Sequence, residues 1–396
     1  MAKLSSSNGL EKRPKLRFPG FYEPWKVFKA EELFQNITDK NHPYETVLTI
    51  IQGKGTLPRE QAGRNIHYDD ASLSNYKRVE QGDFIIHLRS FEGGLEMANE
   101  AGIVSPAYTI LRCKRPHASL FYDAYFHTDE FINHNLSKSV EGIRDGRQIS
   151  YEAFKWLGIP YCEPTEQEKI SSLFSVLNER ITKQRDLIES LKKYKRGVMR
   201  AIFRDKSFVF SKATVWKSIR LGDECVFFSG GTPKSTDSSY YGGSIPFIRS
   251  GEIHGEKTEL FLTEAGLQNS SAKMVSKGDL LIALYGATSG EVDISKIDGA
   301  INQAILCIRP YDMSKQYLRY LLEDSKDDII NTYLQGGQGN LSAEIIKNLR
   351  VDIPDSTAQS SVVEFLSMIE RRIEMSIAEC EQIQAMKRSS LQQLFI

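Results

Sequence analysis

The chain has 396 residues, of which 40% are hydrophobic and 26% charged, an ordinary globular composition that predicts two or three domains. Its 51 Lys and Arg residues balance 51 Asp and Glu residues, which disfavours a protein that coats DNA through bulk positive charge. No apolar run approaches the ~18–20 residues of a membrane span, so no membrane partner is expected. Five scattered cysteines without a CxxC pair favour reduced thiols and a cytoplasmic location.

The motifs of common enzymes are missing from the sequence. The seven histidines form neither an HExxH motif nor a His/Cys cluster, so no metal site is predicted. The run Gly53–Thr56 imitates the end of a phosphate-binding loop but lacks its leading glycine. We therefore predict no catalytic residue and no cofactor bound by this chain, and we expect a binding protein.

The strongest feature is an internal repeat of about 192 residues. The segment GDFII at Gly82–Ile86 recurs as GDLLI at Gly278–Ile282, and from Ser150 onward the register holds at 192 residues without a gap. The matched pairs include Trp25 and Trp216, Asp83 and Asp279, Arg112 and Arg309, Ser150 and Ser342, Gln167 and Gln359, and Lys195 and Lys387. Chance would not keep one register over more than fifty positions, so the chain is a tandem duplication.

Each half predicts a mixed α/β domain followed by a long helix. Short apolar runs beside glycines and aromatic residues indicate strands in the first part of each half. The second part is a helical stretch with apolar residues at coiled-coil-like spacings of three, four, four, seven and three residues. The predicted segments are a first domain at 1–163, a helix at 164–206, a second domain at 207–356 and a helix at 357–396. The residues predicted to pair the two helices are Leu173, Leu177, Ile181, Ile188, Leu191, Phe365, Ile369, Ile373 and Ile383.

Two matched helical stripes favour pairing of the helices with each other. The predicted fold class is α+β, with two tandem mixed α/β domains and an antiparallel coiled coil of pseudo-two-fold symmetry. A helix of about 38 residues is ~57 Å long, whereas B-DNA turns once per ~34 Å. Two domains on such a rod could read two DNA segments more than one turn apart.

Several segments are typical of one family. These are PKLRFPGFYEPW (Pro14–Trp25), GGTPKS (Gly230–Ser235), IPFIRSGEI (Ile245–Ile253), KGDLLIALYGATSG (Lys277–Gly290), INQAILCIRP (Ile301–Pro310) and GGQGNLSAEIIKNLRVDIP (Gly336–Pro354). In this order, in a duplicated chain, they resemble the specificity subunit of type I restriction–modification enzymes, over nearly the whole length. The first domain departs from the pattern because it has neither GTPK nor IPFI.

The resemblance implies a DNA-recognition subunit without catalytic activity of its own. Its two target-recognition domains would read the halves of a split, asymmetric site in double-stranded DNA. The helices would set the gap and dock two modification (methyltransferase) subunits, which would hold S-adenosylmethionine and methylate adenine. Restriction (translocase) subunits using ATP and Mg²⁺ would join to cleave unmodified DNA.

Base-reading residues are expected in loops at corresponding places of the two domains, because side chains that reach base edges carry the sequence information. In the first domain the candidates are Lys54, Arg59, Arg64, Arg89, Ser90, Arg144 and Arg147. In the second domain they are Thr232, Lys234, Arg249, Ser250, Tyr285, Thr288, Gln338 and Asn340. The basic run from Lys192 to Arg204 permits either DNA attraction or a structural or partner-docking role, and we favour the latter.

Two other interpretations stay open. A stand-alone DNA endonuclease or methyltransferase could hide a PD-(D/E)xK-like core near Glu252, Glu256 and Lys257. A helical adaptor without base reading would show no preference between DNA sequences. Magnesium-dependent cleavage or S-adenosylmethionine binding by the isolated chain would identify the enzyme, and a lack of sequence preference would identify the adaptor.

Overall fold

The structure is a computed structural model that describes residues 11–62, 70–142, 148–206, 214–333 and 341–395. The chain forms two compact units, of which the first comprises Met1–Arg185 with Ile377–Ile396 and the second Asp186–Ser376. Each unit therefore contains one mixed α/β domain and a part of both long helices. The four-segment division of the chain stays a prediction.

The first unit is built from short strands and helices. Its strands are β1 (Glu11–Lys12), β2 (Trp25–Lys29), β3 (Phe34–Ile37), β4 (Leu48–Ile51), β5 (Gly55–Pro58), β6 (Lys77–Val79), β7 (Phe84–Ile86), β8 (Glu96–Met97), β9 (Gly102–Val104), β10 (Thr109–Cys113), β11 (Val140–Glu141), β12 (Gln148–Ile149) and β13 (Gly158–Tyr161). Its helices are α1 (Ala30–Leu33), α2 (Ser90–Gly93), α3 (Ser119–Phe126), α4 (Tyr151–Phe154) and the first part of α5 (Pro164–Phe203).

A four-stranded antiparallel sheet of order β3-β10-β7-β8 forms the centre of this unit. Helix α3 packs on it with an aromatic face, because its large side chains recur one turn apart. The ring of Phe126 lies 5.0 Å from that of Phe84 and 5.7 Å from that of Phe34, centroid to centroid. The β4–β5 hairpin joins the β6–β9 pair through one parallel bridge between Val47 and Ile103.

The second unit repeats this plan with longer elements. Its strands are β14 (Trp216–Arg220), β15 (Cys225–Ser229), β16 (Tyr241–Ile248), β17 (Leu260–Leu262), β18 (Lys273–Val275), β19 (Leu280–Ala283), β20 (Val292–Ile294), β21 (Gly299–Ile301), β22 (Ile305–Pro310) and β23 (Arg350–Pro354). Its helices are α6 (Leu221–Glu224), α7 (Glu264–Gln268), α8 (Lys315–Tyr333), α9 (Ala343–Asn348) and α10 (Ser356–Phe395), the last of which ends in the first unit.

The sheets of the second unit match those of the first. The antiparallel order β15-β22-β19-β20 corresponds to β3-β10-β7-β8, and the order β17-β16-β21-β18 corresponds to the hairpin and strand pair of the first unit. Strands β16 and β21 run parallel, as do Val47 and Ile103 at their bridge. The duplication read from the sequence is therefore a duplication of topology.

The matched residues form the same contacts in both units. The guanidinium of Arg112 lies 2.7 Å from the carboxylate of Asp83, and that of Arg309 lies 2.6 Å from the carboxylate of Asp279. In each pair the carboxylate also accepts a backbone N–H from the turn before its strand, at 2.8 Å and 3.0 Å. The repeat thus preserves the ion pair that fixes the central sheet.

The two long helices run antiparallel where they meet within each unit. In the first unit the ring of Phe174 stacks on that of Phe395 at 6.4 Å, and Arg180 pairs with Glu379 at 3.1 Å. In the second unit Lys195 pairs with Glu370 at 2.8 Å. As the residue number rises along α5, the partner number falls along α10. The predicted fold class, two mixed α/β domains each followed by a long helix with the helices antiparallel, is confirmed.

The predicted pairing stripes are mostly buried. The buried members are Leu177, Ile181, Ile188, Ile369, Ile373 and Ile383. Leu173, Leu191 and Phe365 are only half-buried. Phe174 and Leu366, which the stripes omit, lie at the more buried neighbouring positions.

Candidate nucleic-acid interface

Four loops of the second unit gather at one edge of its two sheets, and we call them the second loop edge (residues 230–234, 249–255, 285–290 and 302–304). Because β16 and β21 are parallel, the loops that follow Ile248 and Ile301 leave the sheet at the same side. The hydroxyl of Thr232 donates to the amide oxygen of Gln303 at 2.6 Å, which joins the loop after β15 to the loop after β21. The turns Ser250–Glu252 and Gly286–Thr288 also contact each other.

The predicted residues of this edge differ in how freely they could reach a base. Lys234 and Thr232 are exposed, whereas Ser250, Tyr285 and Thr288 are half-buried. The Arg249 guanidinium is held by Glu252 at 3.0 Å and by Glu259 at 2.6 Å. These carboxylates raise the pKa of Arg249, so the side chain has a fixed position but part of its hydrogen-bonding capacity is already used.

Sequence reasoning missed Gln303. Its side chain is exposed in the second loop edge, beside Thr232. An amide that presents a donor and an acceptor suits the adenine edge. The available signal was the segment INQA, which was recognised as a family motif and not as a site.

The first unit has a corresponding edge, the first loop edge (residues 52–54, 59, 87–93 and 105–108). The hairpin turn lies against the loop after β7, since a Cβ added to Gly93 would meet the side chain of Gln52 at 1.8 Å. The rings of His87 and Tyr108 lie 6.4 Å apart, which joins the loops after β7 and β9. The Arg59 guanidinium stands 5.9 Å above the ring of Tyr76.

Of the four predicted residues at the first loop edge, two are exposed, Arg59 is half-buried and Ser90 is buried. Lys54 and Arg89 project from the hairpin turn and from the start of α2, and both are exposed. Ser90 is completely buried, and its hydroxyl accepts the backbone N–H of His87 at 2.9 Å. This contact makes Ser90 a residue of the turn, and its burial argues against the predicted contact with DNA.

The comparisons with known proteins agree on one family. A family model of the type I restriction modification DNA specificity domain matches residues 214–385. The chain is 25% identical over 92% of its length to the putative type I restriction enzyme MjaX specificity subunit of Methanocaldococcus jannaschii, of which it covers 91%. It is 23% identical over 94% of its length to the type I restriction enzyme MjaVIII specificity subunit of that organism, of which it covers 92%. The second half of the chain thus matches the type I restriction modification DNA specificity domain, and nearly the whole chain is similar to type I restriction enzyme specificity subunits.

Solved structures share the fold of this chain along nearly its whole length. The S subunit of the type I restriction–modification system from M. genitalium superposes with a TM-score of 0.59 at 16% identity, covering 97% of this chain and 99% of that one. A chain from a study of assembly and conformational transition in a type I system gives a TM-score of 0.61 at 17% identity, covering 96% and 98%. At these identities the likeness concerns the fold alone.

Five predicted DNA contacts lie outside the described residues. They are Arg64, Arg144, Arg147, Gln338 and Asn340. They stay predictions, as do the exposed candidates of both loop edges.

The basic run at the end of α5 is partly used in ion pairs. Lys195 contacts Glu323 at 2.6 Å and Glu370 at 2.8 Å. Arg204 contacts Asp324 and Asp328, each at 2.8 Å. These pairs support a structural role for Lys195 and Arg204, since a cation already held between carboxylates attracts a phosphate less.

The residues proposed for a nuclease core do not converge. Glu252 is bound to Arg249, whereas Glu256 and Lys257 are exposed in the following loop. Within the described ranges no group of three or more His, Cys, Asp or Glu residues could hold a metal ion. In that same part of the chain no helix is long and apolar enough to cross a membrane. All five cysteines are described, and each carries a free thiol.

Proposed function

We propose that the chain is the DNA-specificity subunit of a type I restriction–modification complex, in which each unit reads one half of a split, asymmetric site. One observation carries the proposal. The two units share the same sheet topology, which we call the frame, but their loop edges present different side chains. The Asp–Arg pairs recur, whereas the first edge presents Lys54 and Arg89 and the second Thr232, Lys234 and Gln303. Two unlike edges on one frame suit two unlike half-sites, whereas identical edges would read a palindrome.

The long helices are proposed to set the gap between the half-sites and to dock two modification subunits. Supporting this, α5 and α10 expose apolar side chains at repeat-equivalent positions. Val176 corresponds to Met368 and Tyr194 to Met386, and each of these side chains is at least half exposed. Single exposed apolar residues are common on protein surfaces, but their recurrence at matched positions of the repeat supports a contact that is made twice. Their repetition suits two copies of one partner.

The chemistry is proposed to reside in the partners. Modification subunits would bind S-adenosylmethionine and methylate adenine, and restriction subunits would use ATP and Mg²⁺. This chain would bind none of these groups and would be non-catalytic. A cytoplasmic location, beside the DNA and with the five thiols reduced, completes the proposal.

A methylome tests the proposal. The chain is co-expressed with the modification subunit encoded beside it, and methyl-adenine is mapped across the host DNA by long-read sequencing. One new split, asymmetric motif is expected, and it would give the bases and the gap together. Modification subunit expressed without this chain is the control. A complex that assembles and binds S-adenosylmethionine but adds no motif would contradict base-specific targeting and favour the adaptor.

A further inference from the structure

A carboxylate in the outer strand of the central sheet holds a loop edge in each unit. Glu96 lies in β8 opposite Ile85, and Asp293 lies in β20 opposite Leu281. Ile85 and Leu281 are matched residues of the repeated GDFII and GDLLI segments. The two carboxylates therefore stand at the same position of the duplicated frame, and we call them the carboxylate anchors.

In the first unit the anchor holds the turn between β4 and β5. Glu96 is completely buried, and its two oxygens accept the backbone N–H groups of Gly53 at 2.6 Å and Gly55 at 2.9 Å. These glycines have φ of 74° and 78°, a left-handed conformation that turns their N–H groups toward one acceptor. The exposed Lys54 stands between them, so the anchor fixes the backbone that carries this side chain.

A histidine completes the first anchor. The Nε2 of His127 lies 3.2 Å from the Glu96 carboxylate, and its Nδ1 lies 2.8 Å from the backbone oxygen of Asp123. Burial alone raises the pKa of Glu96, but His127 and the two backbone donors outweigh it and lower that pKa below its usual value. The buried carboxylate thus has three hydrogen-bond partners that favour its charged form, as a fixed support requires.

In the second unit the anchor holds the loop after β16. Asp293 lies 2.8 Å from Nδ1 of His254, and Nε2 of the same ring lies 3.5 Å from Glu291. Glu291 is in turn paired with Lys326 of α8. His254 belongs to residues 249–255, the segment that also carries Arg249 and Ser250. The loop after β16 corresponds to the β4–β5 turn of the first unit. Both loops bind a carboxylate at the same strand position, but in the second unit the partner is a histidine ring and not a pair of backbone N–H groups.

We infer that Glu96 and Asp293 are positioning residues for DNA recognition, each of which sets the half-site preference of its own unit by fixing one loop. The inference rests on the proposed function, because it requires these loops to face DNA. A loop held in one conformation spends less conformational entropy on binding than a loose one. Base reading also needs donors and acceptors at defined positions, whereas phosphate attraction tolerates movement. Loss of an anchor should therefore reduce sequence preference more than overall affinity.

The experiment uses the full chain assembled with its modification subunit. Competition binding compares the cognate duplex with duplexes in which one half-site or the other is scrambled. Glu96→Gln keeps the size of the side chain but leaves one oxygen acceptor for two backbone donors. We expect it to reduce the preference for one half-site about tenfold, with the other half-site and unrelated DNA bound as before. Asp293→Ala should produce the complementary pattern.

Matched variants separate positioning from folding. Glu100→Gln, close to Glu96 in sequence, and Asp312→Asn, in the same unit as Asp293, change exposed carboxylates, and both should behave like the parent. His254→Ala removes the loop side of the second anchor at an exposed residue, and it should reproduce the Asp293→Ala pattern even if Asp293→Ala unfolds.

The outcomes distinguish a failure of the inference about the anchors from a failure of the proposed function. If the parent complex prefers a split motif and folded anchor variants retain both half-site preferences, the inference is overturned and the proposed function stands. Equal weakening at both half-sites and on unrelated DNA also overturns it. A parent complex without any preferred motif contradicts the proposed function itself.

Discussion

The ammonium of Lys195 lies 2.8 Å from the carboxylate of Glu370, which ties the end of α5 to the first half of α10 within the second unit. Arg319 of α8 contacts Glu370 at 2.7 Å, and the hydroxyl of Tyr320 donates to it at the same distance. Burial alone raises the pKa of Glu370, but Arg319 and Lys195 reverse the effect and hold that pKa below its usual value. One carboxylate therefore joins three helices.

Glu370→Gln should destabilise the second unit. The variant leaves Lys195 and Arg319 facing a neutral amide in a largely buried site, although Glu323 still pairs with both. We expect a loss of about 2 kcal/mol in the free energy of unfolding, below the ~3–5 kcal/mol of a fully buried broken pair. Urea unfolding of the full chain measures it. Glu374→Gln, one turn further on an exposed position, is the control, and equal midpoints for the two variants would contradict the role of Glu370.

Sequence reasoning found the residues that the duplication preserves, although not the contacts between them. Lys195 pairs with Glu370 in the second unit. In the first unit burial lowers the pKa of the matched Lys387, and the charge of Asp123 opposes this effect. The matched aspartates and arginines form the same ion pair twice. A residue pair that survives in both copies can be recognised from one sequence because the chain supplies its own comparison.

Comparison of the two copies of the repeat could not reveal the carboxylate anchors or the exact shape of the loop edges. Glu96 and Asp293 differ in length and bind different donors, so the repeat does not show them as a pair. Gln303 owes its place to a hydrogen bond with Thr232, 71 positions away. The sequence presents Ser90 as a polar loop residue, but in the structure its hydroxyl accepts a backbone N–H within the turn. These features depend on contacts between segments that are distant in sequence. The local spacing of residues does not predict such contacts.

The buried glutamines Gln167 and Gln359 should stabilise their own units. The side-chain oxygen of Gln359 accepts the N–H of Ser314 at 3.0 Å, and its amide donates to the backbone oxygen of Pro354 at 3.0 Å. Gln167 forms the equivalent bonds with Ala118 at 3.1 Å and Cys162 at 2.8 Å.

Gln359→Ala leaves two backbone groups without their partner, a partly buried one at the start of α8 and a buried one at the end of β23. We expect a loss of about 2 kcal/mol in the free energy of unfolding, because an unsatisfied buried polar group costs ~1–3 kcal/mol. Thermal or urea unfolding measures it, with Gln382→Ala on an exposed position of the same helix as the control. Indistinguishable stabilities would show that water replaces the glutamine without cost.

The His127–Glu96 contact predicts an alkaline loss of stability. Burial alone lowers the pKa of His127, but Glu96 and Asp123 outweigh it and raise that pKa to about 9. A histidine whose pKa is raised by folding contributes its full stabilisation below about pH 6.5 and loses it as the pH rises through 9. His87, whose pKa is lowered mainly by burial, also faces Glu96 and His127 and should be uncharged in this window.

Melting temperatures between pH 6 and 10 test this contact in the parent chain and in His127→Gln. Other groups that titrate in the range contribute equally to both proteins. We therefore expect the stability difference between them to be largest near pH 6 and to shrink above pH 9. A difference that does not change with pH would show that His127 is held by packing and not by its charge.

Arg89 gives the sharpest test of direct reading in the first unit. It is exposed at the start of α2, on the loop that lies against the hairpin turn carrying Lys54. If Arg89 reaches a guanine, Arg89→Ala should reduce the preference for one half-site about tenfold, since a good bidentate pair discriminates by ~1–3 kcal/mol. Lys138→Ala, an exposed cation of the same unit, is the control. A uniform loss on unrelated DNA, with the salt dependence reduced by about one phosphate contact, would instead identify Arg89 as a phosphate ligand.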